Sequence, residues 1–403
     1  LPTPDAAQAN PSLLLNFVPE STSQRVYLEQ ESPIMPRLYE HKAGVVLLDT
    51  REHTTEHEHA VHLRIGHYLA DLLGTTMLDP QDSPPRDAAC YYLPTSTLID
   101  PARYEPLGIT DENDLFGGLV SHPYMATKAI SHPLLAQARF PPGWTDDFAL
   151  QASDALLRGY TVFSKADARR AAQLLLRDGS VRIKPVLACA GRGQQVIHQT
   201  AELDPLLDEM DDATLGLWGL VLEENLTQVE TFSVGQARVA GLMCSYFGIQ
   251  QLTRDHQGEQ VYGGSDLVVV RGDYQALLQL PLDDHLRLAI NQAMIYERAA
   301  EQSFAGFIAS RRNYDIARGL DDKGHLRSGV LEQSWRMGGA SSAEILALQA
   351  FADDPQLARV RASSHEVFGE PDLPEDATLF YQGQDSELGQ LSKYARIRDY
   401  DHP

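Results

Sequence analysis

The sequence predicts an α/β region followed by an α+β region, and three observations carry that expectation. Residues 44–49 form an unbroken apolar run closed by Asp49, the signature of a buried parallel strand, and a helical pattern follows it. Beyond Ser164, helix-patterned and strand-patterned segments alternate. Further on, 313–317 and 328–332 flank the turn residues 321–324 and read as an antiparallel pair.

In chain order, Thr54 and Thr55 are candidate N-caps for a helix whose apolar residues Val61, Leu63, Ile65, Leu69, Leu72 and Leu73 partly follow helical spacing. Residues 79–89 turn to Pro, Asp, Ser and Arg and read as a loop, followed by a short strand at 89–93 and a long irregular stretch to Gly118. Residues 166–177 are rich in Ala, Leu and Arg, good helix formers, and Asp178 with Gly179 closes that helix. Strands are expected at 181–187, 217–224 and 231–243, and a long amphipathic helix at 284–301. A short apolar run at 304–309, a helix at 342–351 and a Pro- and Asp-rich tail from Phe368 complete the reading.

Composition narrows the function. At 403 residues the chain has room for two or three domains. Its 33 Lys and Arg against 56 Asp and Glu give a net charge of −23, which disfavours sequence-independent binding of nucleic acid or an anionic membrane surface. A small anionic substrate stays compatible, because a few local cations can dominate a cleft. Three cysteines are too few for a disulfide scaffold or a thiolate zinc site, so a reducing, cytoplasmic location is expected. No run approaches the ~18 apolar residues of a membrane span. Residues 1–15 have no basic start and do not read as a signal peptide. No fixed-period repeat occurs.

Several residues can carry chemistry. Lys184 ends a strand and is followed by Gly191, Arg192 and Gly193. An ammonium beside a small-residue loop can meet an anion that backbone N–H groups also approach, although the same pattern fits a hairpin turn with a surface lysine. Glu223 and Glu224 end a mostly apolar strand, as a solvated strand end also would. Asp315 and Glu332 fall on the two segments of the antiparallel pair, where hard oxygen ligands could hold Mg²⁺. His53, His57, His59, His62 and His67 crowd one stretch without a His-Glu-x-x-His order, and read as solvated helix residues. Residues 262–266 read either as a loop over a ligand or as a turn. Trp144, Trp218 and Trp335 read as packing residues.

Taken together, Lys184-Pro185 with the following Gly-Arg-Gly, the stretch 222–226, Asp315, and the stretch 331–336 resemble the ATP-grasp superfamily, over roughly residues 120 to 345. The stretches 114–118, 126–130 and 329–340 resemble more narrowly a bacterial ATP-grasp-like family of unknown function. The resemblance implies an ATP-grasp fold with an N-terminal α/β (pre-ATP-grasp) subdomain and two lobes clamping ATP. The implied bounds are 1–125 for that subdomain, 126–215 for a small ATP-binding lobe, 216–363 for a large lobe with the metal site, and 364–403 for a C-terminal tail.

By the same resemblance, Lys128 and Lys184 bind the nucleotide phosphates with Gly191, Arg192 and Gly193, and Lys165 is a rival to Lys128. Glu223, Glu224 and Leu226 form the adenine hinge, and Glu230 holds the ribose. Asp315, Glu332 and Ser334 bind Mg²⁺ (or Mn²⁺), with Ser334 standing where the superfamily usually has Asn. Arg336 acts on the transferring phosphoryl group, and Gly338 with Gly339 lets backbone approach a substrate. Arg51, Thr54 and Thr55 either line the substrate side or belong to a solvated loop and helix cap. The implied activity is ligation of a carboxylate to an amine or other nucleophile through an acylphosphate. A small-molecule kinase and a non-catalytic binder are the alternatives. The expected partners are small molecules, with no nucleic acid and no membrane, and the reading allows a homodimer.

Overall fold

The computed structural model describes residues 41–79, 88–187 and 193–401, all within one compact unit. Strand β1 (Val45–Leu48), the helix Glu56–Leu73 and β2 (Tyr91–Pro94) form a unit in which the two strands pair in parallel. A parallel pair needs a crossover between its strands, and the amphipathic helix supplies it. Two short strands follow, β3 (Leu98–Ile99) and β4 (Gly118–Val120), also parallel.

Four strands then build a small antiparallel sheet: β5 (Gly159–Val162), β6 (Val181–Pro185), β7 (Gln195–Ile197) and β8 (Leu220–Glu224), in the order β5-β8-β6-β7. The helix Lys165–Leu175 covers it, burying Ala168, Ala171, Ala172 and Leu175 at helical spacing. Next come β9 (Thr227–Val239), β10 (Leu242–Arg254) and β11 (Gln260–Arg271). β12 (Ile308–Ala309) returns to pair with β4. β13 (Arg311–Leu320), β14 (Leu326–Ser334), β15 (Arg359–Phe368), β16 (Ala377–Asp385) and β17 (Gly389–Asp399) complete an eight-stranded antiparallel sheet, ordered β14-β13-β9-β10-β11-β15-β17-β16.

Two helices sandwich that large sheet. The helix Asp284–Ser303 starts where Asp283 accepts hydrogen bonds from the N–H groups of His285 and Leu286. It buries Ala289, Ile290, Ala293, Tyr296 and Ala300 in one core with Phe232, Val234, Tyr314, Ile316 and Val330. Each large apolar side chain so buried contributes ~1.5–3 kcal/mol. The helix Ser341–Asp353 is buried nearly all round, as its apolar composition demands, between the sheet and the helix Glu56–Leu73. Strand alternation explains the two sides: Phe232 and Val234 join the first core, Ala237 and Val239 the second.

The antiparallel pair of 313–317 with 328–332 is present, as are the helices expected near 166–177, 284–301 and 342–351. Other segments differ. The strand expected at 217–224 begins only at Leu220, because Asp211 caps a helix Asp212–Trp218 that Gly219 terminates at φ +85°. The strand expected at 231–243 is a hairpin, with Ala240 and Gly241 both at positive φ in a two-residue turn between β9 and β10. Residues 262–266 are neither loop nor turn but part of β11. The small sheet takes in β8 and so runs past residue 215 to Glu224. Residues 364–403, read as a tail, contain the end of β15 and all of β16 and β17. Among the described residues, no helix is long and apolar enough to cross a membrane.

Candidate functional site

A cleft of about 520 Å³ opens on the face of the large sheet that carries the helix Ser341–Asp353. Along β13, Arg311, Asn313 and Asp315 are two residues apart and line it together, as strand periodicity requires. β14 runs beside them, and Asp315 and Glu332 are direct cross-strand partners, with Asn313 opposite Ser334. The register then slips: Ile316 pairs with Val330, so Leu331 is an extra residue bulged out of the ladder.

The two lysines meet at this bulge. Lys128, buried in the 3₁₀ turn Lys128–Ser131, forms an ion pair with Glu332. Lys184, at the end of β6 and 2% exposed, donates to the carbonyl oxygen of Leu331 at 2.9 Å and to Glu223 at 3.0 Å. Adjacent residues of one strand are therefore held by lysines 56 positions apart in sequence. Gln333, whose side chain alternates with that of Glu332, donates to the carbonyls of Thr127 (2.6 Å) and Met125 (3.3 Å) and accepts from Tyr296 at 3.0 Å. It fixes the Lys128 turn to β14.

Electrostatics separate the carboxylates. Burial, and then the neighbouring Glu332, push Asp315 up to about 6. Its Oδ1 accepts from Ser233, Gln250 and Asn313, at 3.2, 3.0 and 3.1 Å. Burial raises Glu223 too, but Lys184 and His132 beside it outweigh that and hold it at about 2. Two adjoining acids with an uneven share of cations form a place where a further cation is favoured.

The glycine-loop residues Gly191 and Arg192 lie outside the described residues, and Gly193 sits exposed at φ +68°. Lys165 is 3.4 Å from Asp212 and does not line the cleft. Neither do Glu223, Glu224, Leu226 and Glu230. Glu223 reaches the cleft only through Lys184. Glu224 is paired with Arg327 at 2.9 Å, and Leu226 is buried with Leu157 and Ala317. Glu230 is half-exposed, 3.4 Å from Arg318 of the neighbouring strand.

Arg336, Ser334 and Arg51 line the cleft, whereas Thr54 and Thr55 do not. Thr54 donates to Asp49, and Thr55 is the helix N-cap position without capping through its side chain. The Ser334 hydroxyl lies 3.3 Å from the Arg311 guanidinium. Gly338 and Gly339 line the cleft, and Gly339 packs under the Tyr262 ring, which a Cβ at that position would strike. Of the five clustered histidines, His53, His59 and His67 are exposed but His57 and His62 are buried. Trp335 is buried, and Trp144 and Trp218 pack against the same core.

Sequence reasoning missed Arg311. It is buried and bidentate on Glu344, with Nε to Oε2 at 3.0 Å and Nη2 to Oε1 at 2.6 Å. Its Nη1 donates to the carbonyls of Ser334 (3.1 Å) and Arg336 (2.6 Å) and so shapes the floor of the cleft. Only the spacing of Arg311 with Asn313 and Asp315 could have marked it. Lys393, Glu366 and His365 were missed because their strands read as a tail.

No curated protein matches the sequence. Among solved structures, the fold is similar to D-alanyl-alanine synthetase A from Vibrio cholerae, with 10% identity, a TM-score of 0.38, and coverage of 77% of this chain and 94% of that one. It is also similar to phosphoribosylamine–glycine ligase from Thermotoga maritima, with 12% identity, a TM-score of 0.45, and coverage of 89% and 93%. Residues 45–395 match the family described as "Protein of unknown function (DUF3182)", and the chain belongs to that family.

Proposed function

We propose that the chain is an ATP-dependent ligase of the ATP-grasp type, which joins a carboxylate to an amine or other nucleophile and releases ADP and phosphate. One observation carries this reading: Asp315 and Glu332 face each other across β13 and β14, and the two lysines close on Glu332 and the adjacent Leu331 of β14. Phosphate oxygens would compete with Glu332 for Lys128 and with the Leu331 carbonyl for Lys184. The adenine would lie toward 223–226.

The donor set fits one Mg²⁺. Asp315 and Glu332 are hard oxygen ligands, and desolvation, then its acidic neighbour, hold the partly buried Asp315 up, a strain that a cation relieves. Among the described residues no group of three His, Cys, Asp or Glu side chains converges, so phosphate and water would complete the shell. Ser334 stands beside the Arg311 guanidinium, a poor position for a second metal. When bound, the ion would neutralise charge on the transferring phosphoryl group.

The remaining steps belong to the protein. A substrate carboxylate oxygen attacks the γ-phosphorus, the bond to the β-phosphate oxygen breaks, and ADP leaves with that electron pair. The nucleophile then attacks the acyl carbon, the C–O bond to phosphate breaks, and the nucleophile loses its proton. Lys128, Lys184 and Arg336 position and neutralise the phosphates, which is most of what such a reaction needs.

Calorimetric titration with ATP and ADP in the presence of Mg²⁺ tests the reading. Binding by the wild type that is lost in folded Lys184→Ala supports it, and a folded wild type that binds neither nucleotide overturns it. A pooled carboxylate library with hydroxylamine as nucleophile then separates a ligase from a kinase acting on a hydroxyl, because an acylphosphate yields a hydroxamate together with ADP and a phosphate ester does not.

A further inference from the structure

We propose that the end of the cleft away from β14 binds a zwitterionic small molecule, one bearing an ammonium and a carboxylate, on a seat built by Arg51, the helix Glu56–Leu73, β15 and β17. This rests on the ligase reading only in making the molecule a substrate. The seat itself follows from the side chains that form it.

Arg51, Glu58 and His62 come from the first unit of the chain, and Glu366 and Lys393 from its last strands. All five line the cleft that holds Asp315 and Glu332. Arg51 is 2.9 Å from Glu58, and Lys393 is 2.8 Å from Glu366. The two pairs are neighbours, since the charge of Lys393 is felt at Glu58. The wall therefore presents two cations and two anions alternating in sign, each side chain between 17% and 36% exposed.

Three of the four charged members keep unused capacity. Arg51 donates through Nε to the Thr95 carbonyl and through Nη1 to Glu58, while Nη2 makes no hydrogen bond among the described residues. Among the described residues, Glu58 is engaged only through Oε2, and so is Glu366. His62 lines the cleft with its Nδ1 buried and without a partner among the described residues, and burial, then Arg51, push its pKa to about 4. At neutral pH it is an uncharged ring able to accept or donate one hydrogen bond.

Such a wall discriminates by charge type. A lone carboxylate would draw a cation away from its acid and leave that acid half-buried beside a like charge. A lone ammonium would do the reverse. A zwitterion engages one cation and one acid together and leaves the row neutral.

The test is equilibrium dialysis of the full chain against an equimolar pool of the twenty standard amino acids, with propionate and ethylamine as single-charge controls. At least one amino acid should be retained, neither control should be, and retention should fall at least tenfold in the Glu366→Gln/Lys393→Met double variant and in Arg51→Gln. The two variants alter different elements of the seat, so misfolding of one leaves the other to decide. No retained amino acid, or retention of propionate or ethylamine to a similar degree, overturns the proposal. ADP titration of the same protein reports separately on the ligase reading: retained amino acid without nucleotide binding overturns that reading and upholds this one.

Discussion

The ammonium of Lys184 donates to the carbonyl oxygen of Leu331 at 2.9 Å, and Leu331 is the residue that the β13–β14 ladder skips. A bulged residue has a backbone carbonyl with no ladder partner, and here a lysine of the small sheet takes it. The bulge thereby ties the two sheets together and, in the same stroke, sets Glu332 opposite Asp315.

Removing Lys184 should therefore harm more than ligand binding. Lys184→Ala leaves the buried Glu223 carboxylate with His132 alone, and breaking a buried pair costs roughly 3–5 kcal/mol. Adding Glu223→Gln should restore most of that stability in urea unfolding without restoring ADP affinity. A double variant as unstable as the single one would show that the pair is not the source.

Acid should expose the same pair. Glu223 is held at about 2 against an ordinary 4.5, so its contribution is complete above pH 4.5 and is lost as the pH falls toward 2. The stability gap between wild type and Glu223→Gln should be widest at pH 7 and should shrink across that window. Urea midpoints at pH 7 and pH 3 that differ by the same amount would contradict this.

At Asp315 the expected sign reverses. A partly buried, desolvated carboxylate beside Glu332 opposes folding, so Asp315→Asn should stabilise the protein in EDTA by about 1–3 kcal/mol. The same variant should lose any Mg²⁺-dependent rise in melting temperature and any turnover. Thermal unfolding with and without Mg²⁺ is the measurement, and destabilisation in EDTA would refute it.

Gly339→Ala should cost ~1–3 kcal/mol, because the new methyl group meets the Tyr262 ring. In a Tyr262→Ala background the same change should cost much less, a non-additivity that a double-mutant cycle reads directly.

Asp385 closes the first helix from the far end of the chain. Its Oδ2 accepts the N–H of His57 at 3.1 Å, and its Oδ1 accepts those of Glu387 and Leu388. Asp385→Ala should cost ~1–2 kcal/mol and should raise amide exchange in the first turn of Glu56–Leu73 before elsewhere in that helix.

Much of this was legible from local pattern. Asp315 and Glu332 could be paired because alternating residues flank the turn 321–324, and Lys184 ended a recognisable apolar strand. What escaped depends on long-range geometry or on weak local signals. The turn at Ala240 and Gly241 lacks the Asn-Gly or Asp-Gly that marks such hairpins, so two strands read as one. β16 and β17 are polar along much of their length because much of their surface is exposed, and their pattern is that of a tail. Glu230 follows Glu223 at a suggestive spacing, yet the spacing carried it to Arg318 rather than to the cleft. Nothing near Glu344 announces that Arg311 lies against it.

The hydrogen bond from His57 to Asp385 spans 328 positions. At ~5–20 residues per second a ribosome needs roughly 15 s to a minute to bridge that interval. Throughout it the first helix lacks the Asp385 contact, β11 keeps an open edge from its own synthesis until β15 is made, and the part of the cleft supplied by β17 does not yet exist. Stretches that pair across such distances form slowly and expose apolar surface while they wait. The order of synthesis thus leaves the first helix and the cleft to be completed together, by the last strands to leave the ribosome.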